Sequence, residues 1–190
     1  MKVVSFLILM CNMCMLQGCS AALVTSTAIA AQVVTDPRTV GTQVDDQILE
    51  YRVTKALRKD QKIHKMTHIS ATSYKGMVLL TGQALDNQLV QHAQEIAMSI
   101  KGTTSVYNAI RIKKNVSLGT ASFDAWISTK VRSQFLSNKK VKFSHVKVHT
   151  ESSEVFLLGL VTKEEAKILV DIAEHVHGVQ HVATIFTIVH

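Results

Sequence analysis

Nine histidines could offer metal or acid-base chemistry, and their placement argues against a reactive site. His145 and His149 would share a strand face with Lys147, which disfavours a cation between them, and His175 and His177 fall at a helix end. No cysteine and no carboxylate cluster completes a ligand set around either pair. No metal site is expected, and the nine histidines read as surface residues near a basic face. Ser122 and Ser128 have nothing to mark them as nucleophiles. Phosphate-binding glycine loops, dinucleotide fingerprints, nucleophile elbows and zinc-protease signatures do not occur. No catalytic residue is expected, and the protein is not expected to be an enzyme.

Two other features carry chemistry of a different kind. The first is Cys19. Met1-Lys2 is a positive start, Val3 to Leu16 is an almost unbroken apolar run, and Leu16-Gln17-Gly18-Cys19 follows. The run is too short for a comfortable membrane span and ends in small residues, so residues 1–18 read as a signal peptide. Its ending resembles the bacterial lipobox, in which cysteine becomes the first mature residue and carries acyl and diacylglyceryl groups. Cys11 and Cys14 leave with the leader, so the mature chain keeps one thiol and no disulfide. By resemblance to bacterial lipoproteins, Ser20 in place of Asp directs the protein to the outer membrane, facing the periplasm. No separate cofactor is expected.

The second feature is the only tryptophan, within Phe123 to Ser137. At 100° per residue, Ile127, Val131, Gln134 and Phe135 form a core-facing stripe. Trp126 lies about 100° from Ile127, on a face with Thr129, Ser133 and Ser137 and with Leu136 at its edge. Lys130 and Arg132 flank it, Lys139 and Lys140 follow, and no acid occurs between Asp124 and Glu151. An exposed indole rimmed by cations suits a membrane interface or a protein partner. A tryptophan wedged between two domains would also escape its own core stripe, and that alternative stays open.

The elements that must position these residues come in two similar sets. Residues 19–43 read as a lipidated terminus and tether, rich in Ala, Thr and Val, which could also lie along headgroups. In residues 44–114, a helix from Asp45 to Lys59, with Asp45 and Asp46 at its N-terminus, precedes strands at His68 to Ser73 and at Met77 to Thr81, the latter closed by Gly82. A helix from Asp86 to Ile100 and a strand from Thr104 to Lys113 complete the set. Residues 115–120 read as a linker. In residues 121–190 the order repeats: the tryptophan helix, strands at His145 to Thr150 and Glu154 to Leu160, a helix opened by the capping box Thr162 to Glu165, and a strand from Val179 to Val189. The fold class is α+β, with two tandem αββαβ units. Each would be a small mixed sheet with two helices on one face, marginal alone and expected to pack on its partner.

Two strands ending V-x-L-x-G (Val78 to Gly82, Val155 to Gly159) and two Gly-x-x-x-Val helix exits (Gly102 to Val106, Gly178 to Val182) resemble the BON domain. With Thr35 to Arg38, Val40 to Asp46, Ile127 to Gln134 and Gly159 to Thr162, nearly the whole mature chain resembles dual-BON outer-membrane lipoproteins. That resemblance implies binding of anionic phospholipids such as phosphatidylglycerol through the first helix of the second domain, and no catalysis. It also implies enrichment at the division site and support of envelope integrity. The positions it assigns are Trp126, Lys130, Val131 and Leu136; Ser133, Arg132, Lys139 and Lys140 join them on residue type and placement. Phe135 stands where one member of that family has Leu, a change on the core side that need not alter the lipid face.

Charge refines the expectation. From Val44 to Lys114 eleven Lys and Arg face six Asp and Glu; from Ala121 to His190 the balance is eight to seven, with the cations gathered near Trp126 as Lys130, Arg132, Lys139, Lys140, Lys142 and Lys147. Ile48 takes the place of Trp126 in the first unit, so an aromatic anchor is expected only in the second. The formal charge of +7 would also suit nucleic acid, but not for an exported lipoprotein. The competing expectation is a periplasmic scaffold that docks an envelope-assembly or peptidoglycan-remodelling partner through the same face.

Overall fold

The computed structural model describes residues 40–113 and 121–189. The leader, Cys19, the tether before residue 40 and the 115–120 linker lie outside the described residues. The first unit runs α1 (Val40–Lys59), α2 (Gln61–Met66), β1 (Thr67–Tyr74), β2 (Met77–Ala84), α3 (Asn87–Ser99) and β3 (Ser105–Ile112). The second runs α4 (Ala121–Ser137), a single 3-10 turn at Phe143–His145, β4 (Val146–Glu151), β5 (Glu154–Val161), α5 (Lys163–Glu174) and β6 (His181–Ile188). Each unit forms a three-stranded mixed sheet, antiparallel across its hairpin and parallel across the helical crossover, in the orders β1-β2-β3 and β4-β5-β6. The α+β, αββαβ expectation holds in both.

Local chemistry explains the hairpins. Each has a two-residue loop with both residues at positive φ, Lys75 (51°) with Gly76 (80°) and Ser152 (52°) with Ser153 (64°). That is the turn geometry matching the twist of the flanking strands. Left-handed backbone is unfavourable for lysine and serine, and a buried carboxylate holds each loop in place. Asp46 accepts from the backbone N–H of Lys75 (2.8 Å) and Gly76 (3.0 Å). Asp124 accepts from those of Ser152 (2.8 Å) and Ser153 (2.8 Å). Asp46 therefore does not mark a helix N-terminus. α1 begins at Val40, which shortens the tether, and turns the Asp46 carboxylate inward as a hairpin clamp.

Two further expectations change. Gly82 and Gly159 do not close strands but lie within β2 and β5, paired with Ile69 and Val146. A side chain at Gly82 would put its Cβ 1.9 Å from the His68 carbonyl oxygen, and one at Gly159 would lie 2.5 Å from that of His145. The neighbouring strand runs too close for any Cβ. The short helix α2 has no counterpart in the sequence reading. Asp60 caps it by accepting from the backbone N–H of Lys62 (2.9 Å) and Ile63 (3.0 Å), and it buries Ile63.

Helices cover one face of each sheet. Leu49, Val53 and Leu57 of α1 and Leu89, Ala93 and Ala97 of α3 pack on Val78, Leu80 and Ile110. Ile127, Val131 and Phe135 of α4 and Leu169 and Ala173 of α5 pack on Val146, Val148, Val155 and Leu157. β2 and β5 read as continuous apolar runs because their other faces are buried too. Leu79, Tyr74 and Ala109 meet Phe156 and Leu158 in a third cluster, which joins the two sheets face to face. Polar contacts edge this seam. Tyr74 Oη donates to the His145 carbonyl (3.0 Å), Thr81 Oγ1 meets His149 Nε2 (2.8 Å), and Arg111 donates twice to Glu154 (2.7 and 2.6 Å). The described residues of the two domains thus belong to one compact unit. Neither small domain keeps a bare sheet face.

Candidate functional site

The back of α4 fixes what its front presents. Asp124 fastens the helix to the β4–β5 turn, and one turn further Ser128 Oγ donates to Thr150 Oγ1 (2.8 Å). Ile127, Val131 and Phe135 are completely buried beneath it. With that side committed to the sheet, the opposite side faces solvent and carries Phe123 (43% exposed), Trp126 (40%) and Leu136 (69%).

The Trp126 ring is held in place rather than swinging free. It stacks on Phe123 with centroids 5.6 Å apart and an interplanar angle of 11°, and meets the edge of His177 at 6.4 Å. Lys130 Nζ lies 5.8 Å from its centroid, within reach of the negative ring face. Phe123 in turn packs over Gly178, where a Cβ would come 2.7 Å from Phe123 Cζ. Gly178 also has φ +91°; it sits in the turn after α5 and leaves room for the ring. These neighbours all belong to the second domain, which places Trp126 on the surface and not in the wedge between domains.

The polar residues on this face tolerate a dry neighbour. Thr129 Oγ1 donates to the Ala125 carbonyl (2.8 Å) and Ser137 Oγ to that of Ser133 (3.0 Å). Hydroxyls satisfied inside the helix lose less when water leaves. Ser133 is exposed on the same side. Beyond the helix, Asn138 Oδ1 accepts from the Lys140 backbone N–H (2.9 Å) and Val141 is buried, forming a turn that presents Lys139 and Lys140 to solvent. Among the described residues no carboxylate pairs with Lys130, Lys139 or Lys140.

Not every sequence candidate reaches this surface. Val131 is fully buried in the core, so it supports the helix from behind. Arg132 points away from Trp126: its guanidinium donates to the Val148 carbonyl (2.8 Å), and although much of the side chain reaches solvent, burial lowers its pKa. Lys147 leaves the basic set as well, since its ammonium pairs with Glu50 and donates to the Ser73 carbonyl (3.0 Å) across the domain seam. His149 is not a surface histidine. Burial, and then the Lys147 charge, push its pKa down to about 4, so it is neutral at pH 7. Phe123 and His177 belong to the site and were not among the candidates. The signal for Phe123 was available in its spacing, three residues before Trp126 and thus one turn away.

Among the described residues no group of three His, Cys, Asp or Glu is placed to hold a metal ion. The arrangement is a rigid aromatic pair, an exposed leucine and unpaired lysines on one side of a helix. Exposed apolar groups beside unpaired cations suit contact with an anionic surface or a protein partner.

A chain of two αββαβ units with this face falls within a known class. It belongs to the BON-domain family, whose model matches residues 45–114 and 123–189. Among its relatives is the outer membrane lipoprotein DolP of Haemophilus influenzae, 42% identical over 171 residues that cover 90% of this chain and 89% of that protein. A 21 kDa hemolysin of Actinobacillus pleuropneumoniae is 40% identical over 154 residues, covering 81% and 79% of the two chains. Osmotically-inducible protein Y of Escherichia coli is 28% identical over 146 residues, covering 75% and 72%. The chain thus carries two BON domains and resembles that outer membrane lipoprotein along most of its length. Among the described residues no helix is long and apolar enough to cross a membrane.

Proposed function

We propose that the exposed side of α4 docks on anionic phospholipid, phosphatidylglycerol-like, in the periplasmic leaflet of the outer membrane. Phe123, Trp126 and Leu136 enter the headgroup boundary, while Lys130, Lys139 and Lys140 meet the phosphates. Acyl and diacylglyceryl groups on Cys19 supply the permanent anchor, and the α4 face sets which side of the folded unit meets the lipid. The role is non-enzymatic support of outer-membrane integrity, exercised at the division site. One observation carries this reading: the indole is exposed, stacked on Phe123, and has an unpaired lysine ammonium 5.8 Å from its centroid. Three lysines near an anionic surface contribute about 3 kcal/mol together. The apolar side chains add a comparable amount, which makes the contact reversible and sensitive to salt.

The mature chain with Cys19→Ser tests this by co-sedimentation with vesicles. Trp126→Glu removes roughly 100 Å² of insertable surface, about 2.5 kcal/mol, and cancels one cation worth about 1 kcal/mol. The expected result is a loss of roughly two to three orders of magnitude in affinity for phosphatidylglycerol vesicles, with the fold intact. Unchanged binding by Trp126→Glu would refute the site. If no vesicle binding occurs at all, and a stoichiometric envelope protein is captured through the same face, the scaffold function takes its place.

A further inference from the structure

The first domain has a surface that the sequence reading did not anticipate. Along α1, Val44 (47% exposed), Ile48 (41%) and Tyr51 (65%) lie on one side of the helix, opposite Leu49, Val53 and Leu57 in the core. Lys55 Nζ stands 5.7 Å from the Tyr51 ring centroid. An aromatic ring with a lysine four residues later is the same pairing that Trp126 and Lys130 make on α4. It is not a copy, because Ile48 and not Tyr51 occupies the position equivalent to Trp126. The pairing recurs one helical turn further along.

Charge points to the kind of partner. Arg52, Lys55 and Lys59 are exposed on or beside this face, with Asp45 the acid near its rim. Glu50 is turned away and is already paired to Lys147. The helix also starts only about twenty residues after Cys19, and a chain of that length reaches at most about 70 Å. An acylated Cys19 would therefore hold α1 within that distance of the bilayer and raise its local concentration there.

We infer that Val44, Ile48, Tyr51 and Lys55 form a second contact for the anionic lipid surface, used by the tethered protein in addition to the α4 face. The inference rests on the membrane reading above in taking the bilayer as the partner, but it concerns a different helix and can fail separately. Tyr51 is the inserting group, and Lys55 and Arg52 are the headgroup contacts. A lysine at such a surface contributes about 1 kcal/mol, so Lys55→Ala should weaken vesicle binding about fivefold.

The test uses the mature chain, coupled at Cys19 to a maleimide phospholipid so that membrane attachment depends on neither face. Trp126 is the only tryptophan, so Tyr51→Trp combined with Trp126→Phe moves the reporter to α1, while the parent chain reports on α4. Both are placed on vesicles of phosphatidylglycerol with brominated acyl chains. Blue-shifted emission and bromine quenching at position 51, reversed by high salt, support the inference. A water-like, unquenched position 51 beside a quenched Trp126 overturns it and leaves the α4 site standing. Quenching at 51 alone supports it while refuting the α4 site, and no quenching at either position refutes both.

Discussion

Replacing His149 by Gln should remove most of the mildly acidic instability of this protein. The His149 ring sits in the seam between the two sheets, with Nε2 2.8 Å from Thr81 Oγ1 and the ring 6.2 Å from that of Phe156. Burial first, and then the charges of Lys147 and Arg132, lower its pKa from 6.5 to about 4, and the Asp124 charge opposes them only in part. A histidine with a depressed folded-state pKa resists protonation, so between pH 6.5 and 4 the unfolded chain binds the extra proton. Stability therefore falls as pH drops through that window and is fully present above it. At roughly 1.4 kcal/mol per unit, the histidine costs about 2 kcal/mol at pH 5 relative to pH 7.5. Burial also raises the pKa of Glu151 in the same seam, which opposes the trend, but that contribution is common to both proteins. Urea unfolding at the two pH values measures the difference. His149→Gln, which can still pair with Thr81, should lose about 2 kcal/mol less than the parent on acidification. Equal losses in the two proteins, or an NMR titration of His149 with a midpoint near 6.5, would refute the reasoning.

Three other substitutions probe the scaffold and the face. Asp124→Ala strips two buried backbone N–H groups of their acceptor and should cost about 3 kcal/mol, a fall in Tm of about 10 °C by calorimetry, with Asp124→Asn intermediate. Ser153→Gly puts the permissive residue at a positive-φ position and should raise stability by about 0.5 kcal/mol in urea unfolding. Gly178→Ala drives a methyl into Phe123 at a left-handed position; it should lower stability by about 1–2 kcal/mol and also weaken vesicle binding, because the Phe123–Trp126 stack is displaced.

The alternation of the core stripes, the caps at Asp86 and Thr162 and the repeated order of elements were all legible in the sequence, since each is a local pattern. Trp126, Lys130, Leu136 and Phe135 also fell where helical periodicity puts them. What was not legible depended on partners distant in the chain. Asp46 looked like a helix-start acid and Asp124 had no role assigned, yet each clamps a hairpin 28 to 30 residues on. Lys147 and Arg132 counted as lipid-facing cations because charge is visible in a sequence and pairing to Glu50 or to the Val148 carbonyl is not. Gly82 read as a strand end because a missing Cβ looks the same whether it permits a turn or a close neighbour. The basic-aromatic side of α1 was hidden for another reason: comparing Ile48 with Trp126 position by position passed over a pairing displaced by one turn.

NMR shift mapping of the mature Cys19→Ser chain against phosphatidylglycerol micelles shows directly whether the α4 face meets anionic lipid. The largest perturbations are predicted at Phe123, Trp126, Lys130, Leu136, Lys139 and Lys140, with the indole N–H resonance shifting strongly and the Ser152 and Ser153 amides behind the helix left in place. Perturbations confined to other surfaces, with the Trp126 indole unmoved at saturating lipid, would contradict it.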